Sequence, residues 1–295
     1  MTTINKINYQ TISNIIILMR PHQYIKNLFI FTPLFFDLKI TNIPLLLNTI
    51  IAFVAFSIVA SAIYILNDYF DIEEDKKHPI KKYRPLASGV IPKDMAIYLV
   101  GGFILIGLTI MSFLSIKALY ILLGYILLNI AYTLYLKYIA IIDITTIAMG
   151  FIIRLFIGSA VTGIELSSWI VLMTFLLALF MALAKRRDDV LIFNKTGKKM
   201  RKVINGYNLK FLDSAMVIMA SVVIVAYTMY VNSIGRTNNE YLYLTDLFVI
   251  IGIMRYLQIT FVQENSGSPT KIVLQDKFMQ LVLIGWISMF GVILY

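Results

Sequence analysis

NDYFDIEEDKKHPIKKYRPLASG, residues 67–89, is a strongly charged stretch set between two long apolar runs, and those flanks decide the fold. The run before it, about Leu45 to Leu66, and the run after it, about Met95 to Leu114, carry no charge. Each has the roughly twenty residues a helix needs to cross a hydrocarbon core. Further outward the same pattern repeats at about Ile12–Phe36, Ala118–Leu136, Ile139–Thr162, Ser168–Ala184, Phe211–Val231, Tyr241–Val262 and Phe278–Tyr295, giving nine expected spans. In the first, Arg20, Pro21, His22 and Lys26 interrupt the apolar run, so its opening half is expected at the interface and Asn27–Phe36 in the bilayer.

Composition agrees. Of 295 residues 59% are hydrophobic and 14% charged, and the mean hydropathy is +0.82, which describes an all-α polytopic membrane protein rather than a soluble one. The formal net charge of +10 does not point to nucleic acid, because Lys and Arg fall in short segments between apolar runs. Residues 1–14 are polar and Ile15–Met19 is too short for a secretory signal, so the first helix is expected to stay in the protein. Threading the spans alternately puts the N-terminal arm, residues 67–94, Lys137, residues 185–210 and residues 271–277 on one Lys- and Arg-rich side. That side is expected to be cytoplasmic and the C-terminus outside. Residues 1–295 read as one integral-membrane domain, with a pseudo-repeat suggested by 12–136 and 139–262 and a ninth helix at 278–295.

The chemistry concentrates where the charges do. Asn67, Asp68, Asp71 and Asp75 are spaced by one, three and four, which returns them to one helix face. Grouped carboxylates repel unless a cation lies between them, and a chain with no Cys and only His22 and His78 would hold that cation through oxygen, as Mg2+ prefers. The bland alternative is a helix end with solvated acids, where Glu73 and Glu74 belong. In the basic tail, Pro79, Pro85 and Gly89 fix a folded loop that would aim Lys81 and Arg84 at an anion, whereas Lys77 and Lys82 need be no more than positive-inside charges. The second charged stretch, KRRDDVLIFNKTGKKMRK from Lys185, reads equally as a membrane anchor or as a second metal or phosphate site built from Lys185, Arg186, Asp188 and Asp189. Asp143 near the start of the fifth span and Arg154 midway along it are ionisable groups at membrane depth, either facing a site or forming a structural ion pair.

NDxxDxxxD at Asn67–Asp75 followed by RPLASG at Arg84–Gly89 resembles the first aspartate-rich motif of the UbiA-type intramembrane prenyltransferases. The resemblance spans nearly the whole chain. It implies a nine-transmembrane-helix bundle with a central cavity open to lipid, and Mg2+ bridging acidic motifs and a diphosphate. MRPHQYIKNLFIFTPLFF (Met19–Phe36), HPIKKYRPLASG, YLK (Tyr135–Lys137), Asp143, Arg154 with Gly158, and ALAKRR (Ala182–Arg187) are similar to the decaprenyl-phosphate phosphoribosyltransferase subgroup. Asp188 and Asp189 depart from it, since a small or aromatic residue and then Glu are expected there.

The subgroup resemblance implies transfer of 5-phosphoribose from phosphoribosyl diphosphate to a polyprenyl phosphate in a bacterial inner membrane. Asp68 and Asp71 would be catalytic; Asn67, Asp68, Asp71, Asp75 and Asp189 would hold metal. Lys26, Asn27, Lys81, Arg84, Tyr135, Lys137, Asp143, Arg154, Lys185 and Arg186 would bind substrate. Two other readings stand beside it. One is prenyl transfer from a prenyl diphosphate to an aromatic acceptor, against which the first helix lacks the expected Asp-Arg-Pro-Ile-Gly-like pattern. The other is an anionic-lipid transporter, which would have no need of the acidic cluster.

Overall fold

The computed structural model describes residues 9–77, 80–197, 201–238, 241–264 and 269–294. His78 and Pro79 of the charged stretch, the arm before Tyr9, residues 198–200 and most of the connector after Glu264 lie outside the described residues. Among those described, every regular element is helical: α1 (Tyr9–Met19), α2 (Thr32–Phe36), α3 (Ile43–Phe70), α4 (Ile72–Lys76), α5 (Lys93–Leu114), α6 (Ile116–Leu134), α7 (Ile142–Thr162), α8 (Ser168–Thr196), α9 (Leu209–Asn238), α10 (Asp246–Phe261), α11 (Pro269–Gln275) and α12 (Lys277–Leu294), with short 3-10 turns between them. Eight of these segments are long and apolar enough to span a membrane. The protein is an integral membrane protein.

Polar residues at the boundaries start and stop these helices. Asn42 accepts the Leu45 N–H at 3.3 Å ahead of α3, Ser115 accepts that of Ala118 at 3.3 Å ahead of α6, and Ser167 accepts that of Trp169 at 3.2 Å ahead of α8. Asp276 does the same for α12 through the Met279 N–H at 2.8 Å. At the far end of α8, Gly197 takes φ 68°, which ends the helix without a Cβ penalty.

Two elements differ from expectation. The first span breaks within its expected interruption, α1 ending at Met19 and Arg20 bending with φ 55° and ψ 58°, but Pro21–Phe31 then winds as a 3-10 helix before α2. Eleven residues is long for that winding, which normally runs three or four. In the other direction, α8 continues to Thr196, so Lys185–Asp189 sit on a helix and not in a loop.

The chain forms two compact units. The first comprises the residues up to Leu134 together with Ile153–Glu165. Its core joins Ile30 to Phe56, Val59, Ala60 and Ile63 of α3, Met111 of α5, Leu122 and Tyr125 of α6, and Ile157 of α7. A smaller cluster of Leu18, Ile65, Ile72, Leu86, Ile91 and Ala96 fastens the charged stretch to its flanking helices. The 3-10 segment runs antiparallel along α3: the Tyr24 and Ser61 hydroxyls bond at 2.8 Å, the Asn27 amide donates to Ser57 Oγ at 2.9 Å, and the Phe31 and Phe53 rings lie 5.8 Å apart.

The second unit comprises Tyr135–Ile152 and the chain from Leu166 onward. Ile144, Phe180, Leu183, Ile204, Leu212, Met216, Ala220, Tyr256, Ile259 and Met279 build its core around α8, α9 and α10.

Candidate functional site

The two sequence-selected charge clusters each form a folded polar centre inside its own unit. In the first unit, α3 reaches Phe70, Asp71 forms the joint, and α4 follows with the backbone bonds nearly continuous: Asp71 N–H to Asn67 O is 3.0 Å and Asp75 N–H to Asp71 O is 2.8 Å. The spacing therefore acts as a helical one, and Asp68 and Asp75 come round two turns apart to meet the same guanidinium. Arg84 Nη1 donates to Asp68 Oδ1 at 2.8 Å and to Asp75 Oδ2 at 2.7 Å. Arg20 Nη2 donates to the same Asp68 oxygen, its guanidinium lying 5.4 Å from the Tyr64 ring centroid. Lys81 Nζ lies 3.9 Å from Asp75 Oδ1. Asp71 pairs instead with Asn67, whose amide donates to its Oδ2 at 3.2 Å.

Arg84 is aimed by the turn that follows it. Ser88 N–H bonds Arg84 O at 2.8 Å, Ile91 N–H bonds Pro85 O at 3.0 Å, and Gly89 takes φ 78°, a conformation that favours glycine. Leu86 and Ala87 are buried beneath it.

Asp68 and Asp75 are each 3% exposed. Buried carboxylates at that depth require cationic or donor partners, and here guanidinium groups supply them. Among the described residues no three His, Asp or Glu side chains converge as a metal cage. Mg2+, however, is commonly held by one or two carboxylates and by the substrate's own phosphate oxygens. The all-oxygen donor set of Asn67, Asp68, Asp71 and Asp75 fits such an ion, and the adjoining guanidinium and ammonium groups fit phosphate.

A second polar contact of this unit ties Arg154 to the 3-10 segment. Arg154 Nε donates to Asn27 Oδ1 at 2.8 Å, and its guanidinium lies 4.7 Å from the Phe56 ring centroid and 5.3 Å from that of Tyr125. Both Asn27 and Arg154 are buried, whereas Lys26 is partly exposed. The Arg154 guanidinium is thus held by a neutral amide and packs against two aromatic faces. Arg154→Met should orphan the Asn27 carbonyl oxygen and lower stability by about 1–3 kcal/mol. Thermal unfolding of the detergent-solubilised protein checks this, and an unchanged midpoint would remove the holding role.

In the second unit Arg186, 1% exposed, is clasped by two carboxylates. Its Nε donates to Asp143 Oδ2, and Nη1 donates to Asp189 Oδ2 at 3.0 Å. Arg201 Nε stands 3.3 Å from the same Asp189 oxygen. Asp143, fully buried, also accepts the Tyr207 hydroxyl on Oδ1. Burial first, and then that hydrogen bond to Asp143, push the Tyr207 phenol above its ordinary value of 10. Arg187 is structural: it bonds Asp213 at 2.6 Å and the Thr260 carbonyl at 2.8 Å, fastening α8 to α9 and α10. Lys185 and Tyr135 are exposed, and Lys137 Nζ lies 5.3 Å from the Tyr138 ring centroid.

Arg20 and Tyr207 were not among the sequence candidates. Arg20 carried a signal, being a cation beside Pro21 in a span otherwise apolar; Tyr207, in a polar connector, carried none.

Comparison with known proteins bears on both units. The family model for the UbiA prenyltransferase family matches residues 29–289. Decaprenyl-phosphate phosphoribosyltransferase of Mycolicibacterium smegmatis is 31% identical over 297 residues, covering 96% of this chain and 93% of its own. The enzyme of the same name from Corynebacterium glutamicum is 32% identical over 277 residues, covering 91% and 83%. Among solved structures, a UbiA homolog from Archaeoglobus fulgidus bound to GPP and Mg2+ has a TM-score of 0.71 at 15% identity, covering 95% of this chain and 98% of that one.

Proposed function

The chain belongs to the UbiA prenyltransferase family, and from that premise we propose that it moves 5-phosphoribose from phosphoribosyl diphosphate to a polyprenyl phosphate, releasing diphosphate. It is a transferase. The observation that carries the choice of donor is the Arg20–Asp68–Arg84–Asp75 cluster with Lys81 beside it: several cations gathered around an acidic helix end. A donor with phosphate at both ends of the sugar asks for more cationic contacts than a prenyl diphosphate. The likeness to two phosphoribosyltransferases over more than nine-tenths of this chain supports the same choice.

In this reading Asn67, Asp68, Asp71 and Asp75 would hold Mg2+ in the first unit, and Asp189 is a separate candidate metal contact within the second unit. When bound, the ion neutralises charge on the leaving group. Arg20, Lys81 and Arg84 bind the diphosphate oxygens and stabilise the negative charge that grows as the ribose C1–O bond breaks. Within the second unit, Arg186 and Lys185 are candidate phosphate contacts, Asp143 orients Arg186, and Tyr135 and Lys137 are further candidate substrate contacts. Arg154 and Asn27 fix the segment that presents Lys26. An oxygen of the lipid phosphate closes on C1 as C1 gains oxocarbenium character. That oxygen is already anionic, so no strong general base is required. The site would lie at the cytosolic face of a bacterial inner membrane, where the positive charges gather.

Purified protein supplied with Mg2+, radiolabelled phosphoribosyl diphosphate and polyprenyl phosphate should carry label into lipid, and omission of Mg2+ should prevent it. A parallel reaction with a prenyl diphosphate and 4-hydroxybenzoate should give no product. Product in the second mixture and none in the first would overturn the proposal in favour of aromatic prenyl transfer. Silence in both, with movement of an anionic lipid across vesicles, would favour a transporter.

A further inference from the structure

We propose that Tyr207 is a positioning residue for donor binding, acting through Asp143 on Arg186. The inference rests on the phosphate-binding reading of Arg186 given above. Its geometry belongs wholly to the second unit. The Tyr207 hydroxyl accepts the Ile141 N–H at 2.7 Å and donates to Asp143 Oδ1, leaving the other Asp143 oxygen to accept Arg186 Nε. Asp189 then holds Arg186 Nη1, and Arg201 braces Asp189. The phenol thus uses both its donor and its acceptor to set one buried carboxylate.

Two further observations single out Tyr207. Ile141, whose N–H it receives, has φ 71°, an unfavourable conformation for a β-branched residue. Strain of this kind persists only where neighbouring contacts fix the backbone, and here it places the start of α7 so that Asp143 faces Arg186. Second, Asp143 is fully buried and Arg186 nearly so. In such a pair a lone pair left without a donor costs stability and frees the carboxylate to turn, and the planar fork binds a phosphate well only in one orientation. Without the Tyr207 hydroxyl, Asp143 retains Arg186 but turns toward whatever donor replaces it.

The test is a double-mutant cycle on the full-length detergent-purified protein, combining Tyr207→Phe and Arg186→Lys. Tyr207→Phe should raise the KM for phosphoribosyl diphosphate about tenfold, the size of one lost hydrogen bond to a buried charge. The KM for polyprenyl phosphate and kcat should stay within about twofold, since neither depends on that bond. The double variant should bind donor no more weakly than Arg186→Lys alone, because one residue acts through the other. Additive losses, or an unchanged donor KM in Tyr207→Phe, would overturn the inference.

If Tyr207→Phe lowers the folded yield, the same cycle is run in an Ile141→Gly background, which relieves the left-handed backbone at an exposed position. Calorimetric binding of inorganic pyrophosphate with Mg2+ separates the two levels of the argument. A non-additive cycle in pyrophosphate affinity, from a protein that fails to transfer phosphoribose, supports the Tyr207 role and removes the donor assignment. Phosphoribosyl transfer with an additive cycle does the reverse.

Discussion

Asp68→Ala should reduce transfer by about a thousandfold or more while leaving the protein folded in the membrane. One oxygen of this carboxylate receives both Arg20 and Arg84, so its removal disturbs the metal-holding acids and the phosphate-holding cations at once. Deleting one member of a buried ion pair ordinarily costs about 3–5 kcal/mol, because the surviving charge is stranded. Here the surviving side chains are 20% and 28% exposed, so water can take them up. The loss in stability should therefore lie nearer the value of about 1 kcal/mol found for exposed pairs. Asp68→Asn, which keeps the shape and removes the charge, should lose as much activity with an even smaller change in unfolding. Radiolabel transfer and thermal unfolding measured on the same preparations separate the two effects. Turnover near that of the unaltered protein in either variant would eliminate Asp68 from the reaction.

The second large effect is expected at Gly158, in the part of α7 that belongs to the first unit. A Cβ there would lie 2.1 Å from the Ile30 carbonyl oxygen and 3.1 Å from Pro33 Cδ. The obstacle is backbone and a proline ring, neither of which swings aside as a flexible side chain would. Gly158→Ala should thus destabilise by about 3 kcal/mol and displace the end of the 3-10 segment, disturbing Lys26 and Asn27 with it. Gly124→Ala is the matched control: a Cβ at that position meets nothing within 4 Å. Inside a helix such a change is neutral or stabilising by up to about 1 kcal/mol. Opposite signs at the two glycines are the expected result, and equal unfolding midpoints would show that the contact with Ile30 yields at little cost.

Hydropathy made most of the fold legible, because α3, α5, α6, α7 and α12 are apolar runs whose ends fall within a few residues of the expected ones. It misjudged α8 for a physical reason. Five consecutive charges read as the end of a helix, yet Arg186 and Arg187 are buried against carboxylates and a carbonyl that lie far off in the sequence. At the first polar centre the spacing of Asn67, Asp68, Asp71 and Asp75 was legible, since helical periodicity brings them together. Their division between Arg84 and an internal amide bond was not, and neither was the reach of Arg20 across to Asp68. Partners separated by forty residues or more leave no mark on local pattern, as Asp143 and Arg186 also show.

The 3-10 winding of Pro21–Phe31 makes that segment a three-sided prism. Residues 24, 27 and 30 form the edge turned inward; 23, 26 and 29 form a half-covered edge; 22, 25 and 28 form an exposed one. Ile25 and Leu28 on the exposed edge are apolar, so hydropathy alone could not reveal the threefold repeat. Three 3-10 residues rise about 6 Å, as do four residues of an α-helix. Tyr24 and Asn27 can therefore step down α3 in phase with Ser61 and Ser57, like two scales with different divisions and a common unit. Deleting Ile25 would break that match and turn Tyr24 a third of a turn out of line with Asn27, even though both side chains are kept.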